Sequence, residues 1–175
     1  MRAWLRNGQT RFRFWSAACS TGEEPYSLGM TLLDATTTTP TDTRILATDI
    51  SQRVLRRSSA GLYSDDNMKN VPEAFRKRYF LHEGSEWRVR PELRSLISFN
   101  SLNLLHQPFP MKGPFDAIFC RNVMIYFDRE LRGRLITEFH RLLRPGGYLF
   151  VGHAESLLGS DKQFRLVRPT IYTKR

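Results

Sequence analysis

A loop of small residues between an apolar segment and an amphipathic helix is the feature that most constrains the fold of this 175-residue chain. Residues 12–18 are mostly apolar and predict a buried strand, and residues 20–22 are too small to fill a core and predict a tight loop. We expect a helix to begin at Pro25, because proline is favoured in the first helical turn. A strand, loop and helix in this order expose backbone N–H groups to a ligand.

The charges beside this loop limit the kind of ligand. Glu23 and Glu24 stand where a phosphate-binding loop would carry no negative charge, so a ligand with a cationic group fits better than a pyrophosphate. S-adenosylmethionine, which has an ammonium and a sulfonium, is such a ligand. The segment also lacks the G-x-G-x-x-G pattern that a dinucleotide dehydrogenase needs after its first strand.

Strand and helix patterns alternate along the rest of the chain and predict an α/β fold with a mainly parallel, doubly wound sheet. Residues 62–95 interrupt the alternation and predict a small β-hairpin insertion. Ser51 and Asp128 are positioned to cap helices. The further predicted strands are 44–48, 97–99, 115–119 and 148–152, with a closing and possibly antiparallel strand at 170–173.

Composition excludes several classes of protein. No run approaches the ~18 apolar residues of a membrane span, so we expect no membrane insertion and a cytoplasmic location. The two cysteines, Cys19 and Cys120, lie far apart and the four histidines are dispersed, which predicts free thiols and no metal site. The net charge of +10 permits a nucleic acid, an anionic membrane surface or an acidic protein as partner.

Polar side chains follow successive predicted strands, at the ends where a doubly wound sheet binds its ligands. Asp49 follows the second strand and could hold both hydroxyls of a ribose; the alternative is an acid at a helix N-terminus. Asn103 follows the third strand and could instead be a turn residue. Arg121 and Asn122 follow the fourth strand, and Arg121 could instead be a surface charge.

Five motifs resemble one known family, the chemotaxis receptor methyltransferases or CheR family. They are SAACSTGEEPYS at 16–27, NLL at 103–105, FDAIFCRNVMIYF at 115–127, and LRPGG at 143–147 with GHAES at 152–156. The resemblance implies a Rossmann-like class I methyltransferase that uses S-adenosylmethionine to esterify glutamates on the cytoplasmic helices of chemoreceptors. A nucleic-acid methyltransferase is disfavoured, because such enzymes commonly carry Asn-Pro-Pro-Tyr after strand four, where this chain has Arg-Asn-Val-Met.

The resemblance also implies roles for individual residues. Tyr126 would stand near the transferred methyl group and orient the acceptor carboxylate, the alternative being a buried aromatic side chain. The cofactor-binding residues would be Ala17 and Glu23 at the methionine part, Asp49 at the ribose, Asn103 and Leu104 at the adenine, and Arg121 and Asn122 along the pocket. No general base is required, because a glutamate with a pKa of about 4.3 is already ionised at neutral pH.

Finally, the resemblance sets expectations about organisation and partners. We expect residues 1–175 to form a single methyltransferase domain with an inserted subdomain at about 62–95. The helical segment that relatives carry at the N-terminus is not expected in this chain. The alternative to an active enzyme is a truncated, catalytically weak cofactor-binding or signalling module. Arginine clusters predict a basic surface for the acidic helical bundle of a chemoreceptor. The short turn at 82–86 predicts that no tethering pentapeptide binds.

Overall fold

The structure, a computed structural model, describes residues 2–155, 157 and 162–175. In chain order, the strands are β1 (Arg11–Ala17), β2 (Asp42–Asp49), β3 (Leu62–Ser64), β4 (Phe80–Glu83), β5 (Glu86–Val89), β6 (Ile97–Ser101), β7 (Phe115–Cys120), β8 (Leu143–Val151), β9 (Phe164–Arg168) and β10 (Ile171–Lys174). The helices are α1 (Arg2–Arg6), α2 (Glu23–Ala35), α3 (Gln52–Ala60), α4 (Asp65–Met68), α5 (Glu73–Tyr79), α6 (Pro91–Arg94) and α7 (Arg129–Leu142), and a 3-10 turn spans Met124–Tyr126.

The main sheet confirms the predicted fold class. Its seven strands lie in the order β6-β2-β1-β7-β8-β10-β9, and only β10 runs antiparallel to its neighbours β8 and β9. The chain order reverses beside β1, which pairs with β2 on one side and β7 on the other. Doubly wound sheets bind ligands at such a reversal, beyond the carboxyl ends of the strands.

Helices cover both faces of the sheet, so the central strand β1 is buried on both sides. Phe12 and Phe14 belong to the apolar cluster that includes α2, whereas Trp15 belongs to the cluster that includes α7. This alternation follows from the two-residue period of a strand. The indole N–H of Trp15 donates to Thr48 Oγ1 at 2.9 Å, which satisfies a polar atom inside the core.

The insertion between α3 and β6 forms a second sheet, antiparallel, in the order β3-β5-β4. The hairpin of β4 and β5 was predicted, but β3 was not, because three residues are too few to show a strand period. The Tyr63 hydroxyl on β3 donates to the carbonyl of Thr21 at 2.9 Å. The insertion therefore contacts the loop that follows β1.

Helix α2 begins at Glu23, two residues before the predicted start at Pro25. The start is set by Gly22, which has a φ of +97° and lies so close to α3 that an added Cβ would be 2.7 Å from Ser58 Cβ. Only glycine adopts this conformation in this space without strain. The two glutamates therefore occupy the first helical turn, where the helix dipole favours negative charge.

Several further short or edge elements were not predicted, among them α1 and β9. Helix α1 has only five residues, and β9 (Phe164–Arg168) is an edge strand whose basic and exposed side chains hide its period. Among the described residues, no helix combines the length and apolarity needed to span a bilayer.

Candidate functional site

The carboxyl ends of β1, β2, β6 and β7 meet at one edge of the main sheet. Ala17 lies opposite Thr48 of β2 and Cys120 of β7, and Asp49 lies opposite Ser101 of β6. The residues that follow these strands therefore emerge side by side, as parallel pairing requires. The sequence-predicted residues brought to this edge are Ala17, Glu23, Asp49, Asn103, Leu104, Arg121 and Asn122.

The Asp49 carboxylate is held by two backbone groups. Its Oδ2 accepts the N–H of Ser20 at 2.9 Å, and its Oδ1 accepts the N–H of Ser51 at 3.0 Å. The second bond ties Asp49 to the N-cap of α3, as the alternative interpretation predicted, and the first ties it to the loop after β1. A carboxylate oxygen has two lone pairs, so each oxygen can still accept a hydroxyl of a ligand.

An apolar cavity of about 240 Å³ opens beside Asp49. Asn103 and Leu104 also line it, so three predicted residues share one cavity; the other lining residues are Ala18, Ile50, Leu102, Leu105, Val123 and Phe127. Asn103 Oδ1 accepts the N–H of Leu105 at 2.9 Å, which makes Asn103 a turn residue while its Nδ2 group can donate to a ligand. The volume is below the ~300 Å³ of a typical ligand pocket, so it suits one part of a larger ligand.

A second hollow, of about 560 Å³, lies between α2 and β7. Three charged side chains, Glu23, Glu24 and Arg121, line it, together with Phe119 of β7 and the α2 residues Ser27, Leu28 and Thr31. Glu24 accepts the buried Ser16 hydroxyl at 2.7 Å, and Arg121 Nη1 lies 3.4 Å from Glu24 Oε2. Sequence reasoning assigned no site role to Glu24, although its neighbour Glu23 was named.

Tyr126 ends the 3-10 turn that follows β7, and its side chain is 79% exposed. The alternative interpretation, a buried aromatic, is therefore wrong. Asn122 precedes the turn with a φ of +59°, and an added Cβ on Gly152 would be 2.4 Å from Asn122 Oδ1. The ends of β7 and β8 are thus packed so closely that only glycine fits at position 152.

Sequence reasoning also missed Glu155, which lies inside the GHAES motif but was given no role. Its side chain is buried, and its carboxylate accepts the backbone N–H groups of Met124 at 2.7 Å and Gly152 at 2.6 Å. The signal in the sequence was an acid in an otherwise small and apolar segment after a predicted strand.

These features fit S-adenosylmethionine. The apolar cavity suits a purine ring, and the two oxygens of Asp49 at its rim suit the hydroxyls of a ribose. Neighbouring acidic and basic side chains, Glu24 and Arg121, complement the ammonium and carboxylate of an amino acid. Among the described residues, no cluster of three or more His, Cys, Asp or Glu side chains is placed to hold a metal ion.

Cys19 lies in the loop that follows β1, and its thiol is protonated at neutral pH. Burial, together with the negative charge of Asp49, raises the pKa of its thiol to about 12. At pH 8, only about one thiol in 10⁴ with such a pKa is ionised, against about a quarter for a free cysteine with a pKa of about 8.5.

We therefore expect slow alkylation of Cys19 in the folded chain. Because the thiolate is the reactive form, the raised pKa lowers reactivity at pH 8 about 10³-fold relative to the urea-unfolded chain, and the rate rises as the pH approaches 12. Mass spectrometry of iodoacetamide-treated protein measures this. Equal rates in the folded and unfolded chains would contradict the assignment.

Comparison with known proteins also indicates a domain that binds S-adenosylmethionine. Residues 2–173 match the family model described as "CheR methyltransferase, SAM binding domain". The chain is 44% identical to the chemotaxis protein methyltransferase of Escherichia coli over 95% of its own length, and 41% identical to chemotaxis protein methyltransferase 2 of Pseudomonas aeruginosa over 92%. It spans 59% of the length of each relative.

A solved structure with a similar fold is the [4+2]-cyclase SpnF, with a TM-score of 0.50 and 19% sequence identity. The match covers 82% of this chain and 39% of that protein. At this identity, the likeness concerns the fold alone. Given the match to the family model over residues 2–173 and the identity to curated relatives, the chain belongs to the CheR methyltransferase family, whose S-adenosylmethionine-binding domain it contains.

Proposed function

We propose that the chain is an S-adenosylmethionine-dependent methyltransferase that forms methyl esters on glutamate side chains of the cytoplasmic helices of chemoreceptors. The observation that carries this proposal is the meeting of Glu23, Asp49, Asn103 and Arg121 at one sheet edge, in a chain whose relatives are named chemotaxis protein methyltransferases. The cytoplasmic location is part of the proposal, because the substrate helices lie there.

Each part of the site has a role in this reaction. When bound, S-adenosylmethionine supplies a methyl group that its sulfonium makes susceptible to attack by a carboxylate oxygen. Asp49 would hold the ribose and the apolar cavity would hold the base. The Tyr126 hydroxyl donates to the incoming carboxylate and aligns one oxygen with the methyl group. The acceptor is already ionised, so the chain needs no general base.

The transfer itself tests the function. Tritium-labelled S-adenosylmethionine is incubated with the chain and a chemoreceptor cytoplasmic fragment, and label released as methanol by mild base measures methyl esters. We expect base-labile label in the wild-type reaction, and none when the receptor's methylatable glutamates are replaced by alanine. Cofactor binding without label transfer would contradict catalysis and favour the alternative, a cofactor-binding or signalling module.

We also propose that the receptor's acidic helical bundle approaches the basic face of α3. Arg53, Arg56 and Arg57 are exposed on this helix, which begins three residues after Asp49. In the part of the chain that the structure describes, no carboxylate lies within 4.0 Å of these three guanidinium groups. Some cationic groups of the insertion, in contrast, are paired with carboxylates, as Arg88 is with Glu83 at 2.8 Å. Because the turn at 82–86 is short, we also propose that no tethering pentapeptide is bound.

This surface predicts salt-sensitive methylation. Long-range attraction is screened as the Debye length shortens, so kcat/KM should fall about tenfold between about 0.05 M and 0.5 M salt. Changing Arg53, Arg56 and Arg57 to glutamine should flatten this dependence. The control changes Arg165, Arg168 and Arg175, at the far edge of the sheet, to glutamine and so removes the same charge. Equal salt slopes in the two variants would contradict a role for α3.

A further inference from the structure

Glu155 connects the ends of β7 and β8 through a single buried carboxylate. Its Oε2 accepts the N–H of Gly152 at 2.6 Å and that of Asn122 at 3.0 Å. Its Oε1 accepts the N–H groups of Val123 at 2.9 Å and Met124 at 2.7 Å, with that of Ile125 at 3.3 Å. Five backbone N–H groups, those of residues 122–125 and that of Gly152, thus donate to one side chain that is 6% exposed.

This arrangement decides the shape of the segment after β7. Residues 122–125 cannot pair their N–H groups with a neighbouring strand, because β7 and β8 have already ended at Cys120 and Val151. A buried amide without an acceptor is costly, and hydrogen bonds to an ionised acceptor are stronger than those to a neutral one. The carboxylate therefore replaces the missing strand as the acceptor and holds the 3-10 turn Met124–Tyr126 in place.

The segment that Glu155 holds carries the site's exposed tyrosine. Tyr126 is the last residue of the turn, Asn122 begins the segment, and Val123 lines the apolar cavity with Asp49. Tyr126 itself has little packing to orient it, since 79% of its surface is exposed. Its position relative to the cavity thus depends on the backbone of residues 122–125, and hence on Glu155.

We propose that Glu155 is a positioning residue for methyl transfer: it never touches the substrate, but its carboxylate sets the backbone that presents Tyr126 to the acceptor. This inference rests on the proposed function. Misplacing a reacting group by about 1 Å can cost about 10² in rate, so loss of this support is expected to lower kcat strongly.

The test variant is Glu155→Gln, which keeps the size of the side chain but replaces one acceptor oxygen by an NH₂ group. In either orientation, the NH₂ group faces at least two backbone donors. We expect kcat at saturating S-adenosylmethionine to fall about 10- to 10²-fold. Amide hydrogen exchange of residues 122–125 should accelerate at least about tenfold.

The matched control is Glu138→Gln on α7. Glu138 is also mostly buried, and it likewise accepts a backbone N–H, that of Phe109 at 2.9 Å, but none of the segment's amides bonds to it. This variant should lose thermal stability while keeping the wild-type kcat. If Glu155→Gln lowers the melting temperature as much as Glu138→Gln does and leaves kcat unchanged, Glu155 is merely structural and the inference fails.

A double-mutant cycle with Tyr126→Phe distinguishes a loss of Tyr126 positioning from a loss of activity that does not act through Tyr126. If Glu155 acts through Tyr126, Glu155→Gln should cost much less in kcat in the Tyr126→Phe background than in the wild type. Additive losses would overturn the inference. If the wild type transfers no methyl group, the proposed function fails on its own, and the hydrogen-exchange result alone decides whether Glu155 holds the segment.

Discussion

Replacing Asp49 by alanine is expected to raise the Kd for S-adenosylhomocysteine about 10²-fold or more. The Asp49 carboxylate is oriented by the N–H groups of Ser20 and Ser51, and each oxygen keeps one lone pair for a ribose hydroxyl. A hydrogen bond to a charged group contributes about 1.5–3 kcal/mol, and about 1.4 kcal/mol changes Kd tenfold, so losing two has a large effect. Isothermal titration calorimetry measures the change.

The same substitution also releases two backbone N–H groups, so the control must disturb the loop without removing the carboxylate. Ser51→Ala does this: it removes the side-chain cap of α3, in which Ser51 Oγ accepts the N–H of Val54 at 3.5 Å, and it keeps the N–H that Asp49 accepts. Loss of an N-cap costs about 1 kcal/mol of stability, yet we expect Kd to change less than about threefold. Unchanged binding by Asp49→Ala would remove Asp49 from the site.

Replacing Tyr126 by phenylalanine is expected to lower kcat about 10- to 10²-fold, with little change in the Kd for S-adenosylhomocysteine. The phenol of Tyr126 is assigned to the acceptor carboxylate, so its loss removes alignment in the reaction but no contact in the apolar cavity. Because Tyr126 is 79% exposed, the free energy of unfolding should stay within about 0.5 kcal/mol of the wild-type value. Single-turnover transfer of labelled methyl measures the rate.

A matched control is Tyr172→Phe, in which a partly buried tyrosine on β10 loses its hydroxyl. Leu157 N–H lies 3.4 Å from the Tyr172 hydroxyl, so this variant tests the loss of a phenol outside the site. We expect its kcat to remain at the wild-type value. If Tyr126→Phe transfers methyl at the wild-type rate, the hydroxyl has no part in alignment, and the role carried over from the family is wrong for this chain.

The alternating main sheet could be predicted because its strands are apolar on both faces and its helices show a clear period. Residues 12–18 and 115–119 are such runs, and they became β1 and β7. Short or edge elements could not be predicted. The three residues of β3 show no period, and β9 is exposed at four of five positions, so only pairing with β10 makes it a strand.

The candidate site likewise contains residues that could be predicted from the sequence and residues that could not. Asp49 and Asn103 could be named from the sequence, because polar residues directly after apolar runs are recognisable without coordinates. Glu24 and Glu155 could not be given roles. Their partners lie far along the chain, as Arg121 does from Glu24 and Asn122 does from Glu155, and no local pattern reports such a contact.

By itself, the sequence determined the α/β class, the edge of the sheet at which the candidate site lies, and the family. These depend on local hydrophobic period and on contiguous motifs. Only the tertiary structure decided that Tyr126 is exposed and that one buried carboxylate, Glu155, holds the segment before it. The physical reason is that amides left unpaired at the strand ends must find an acceptor wherever the fold brings one, and that acceptor is distant in sequence.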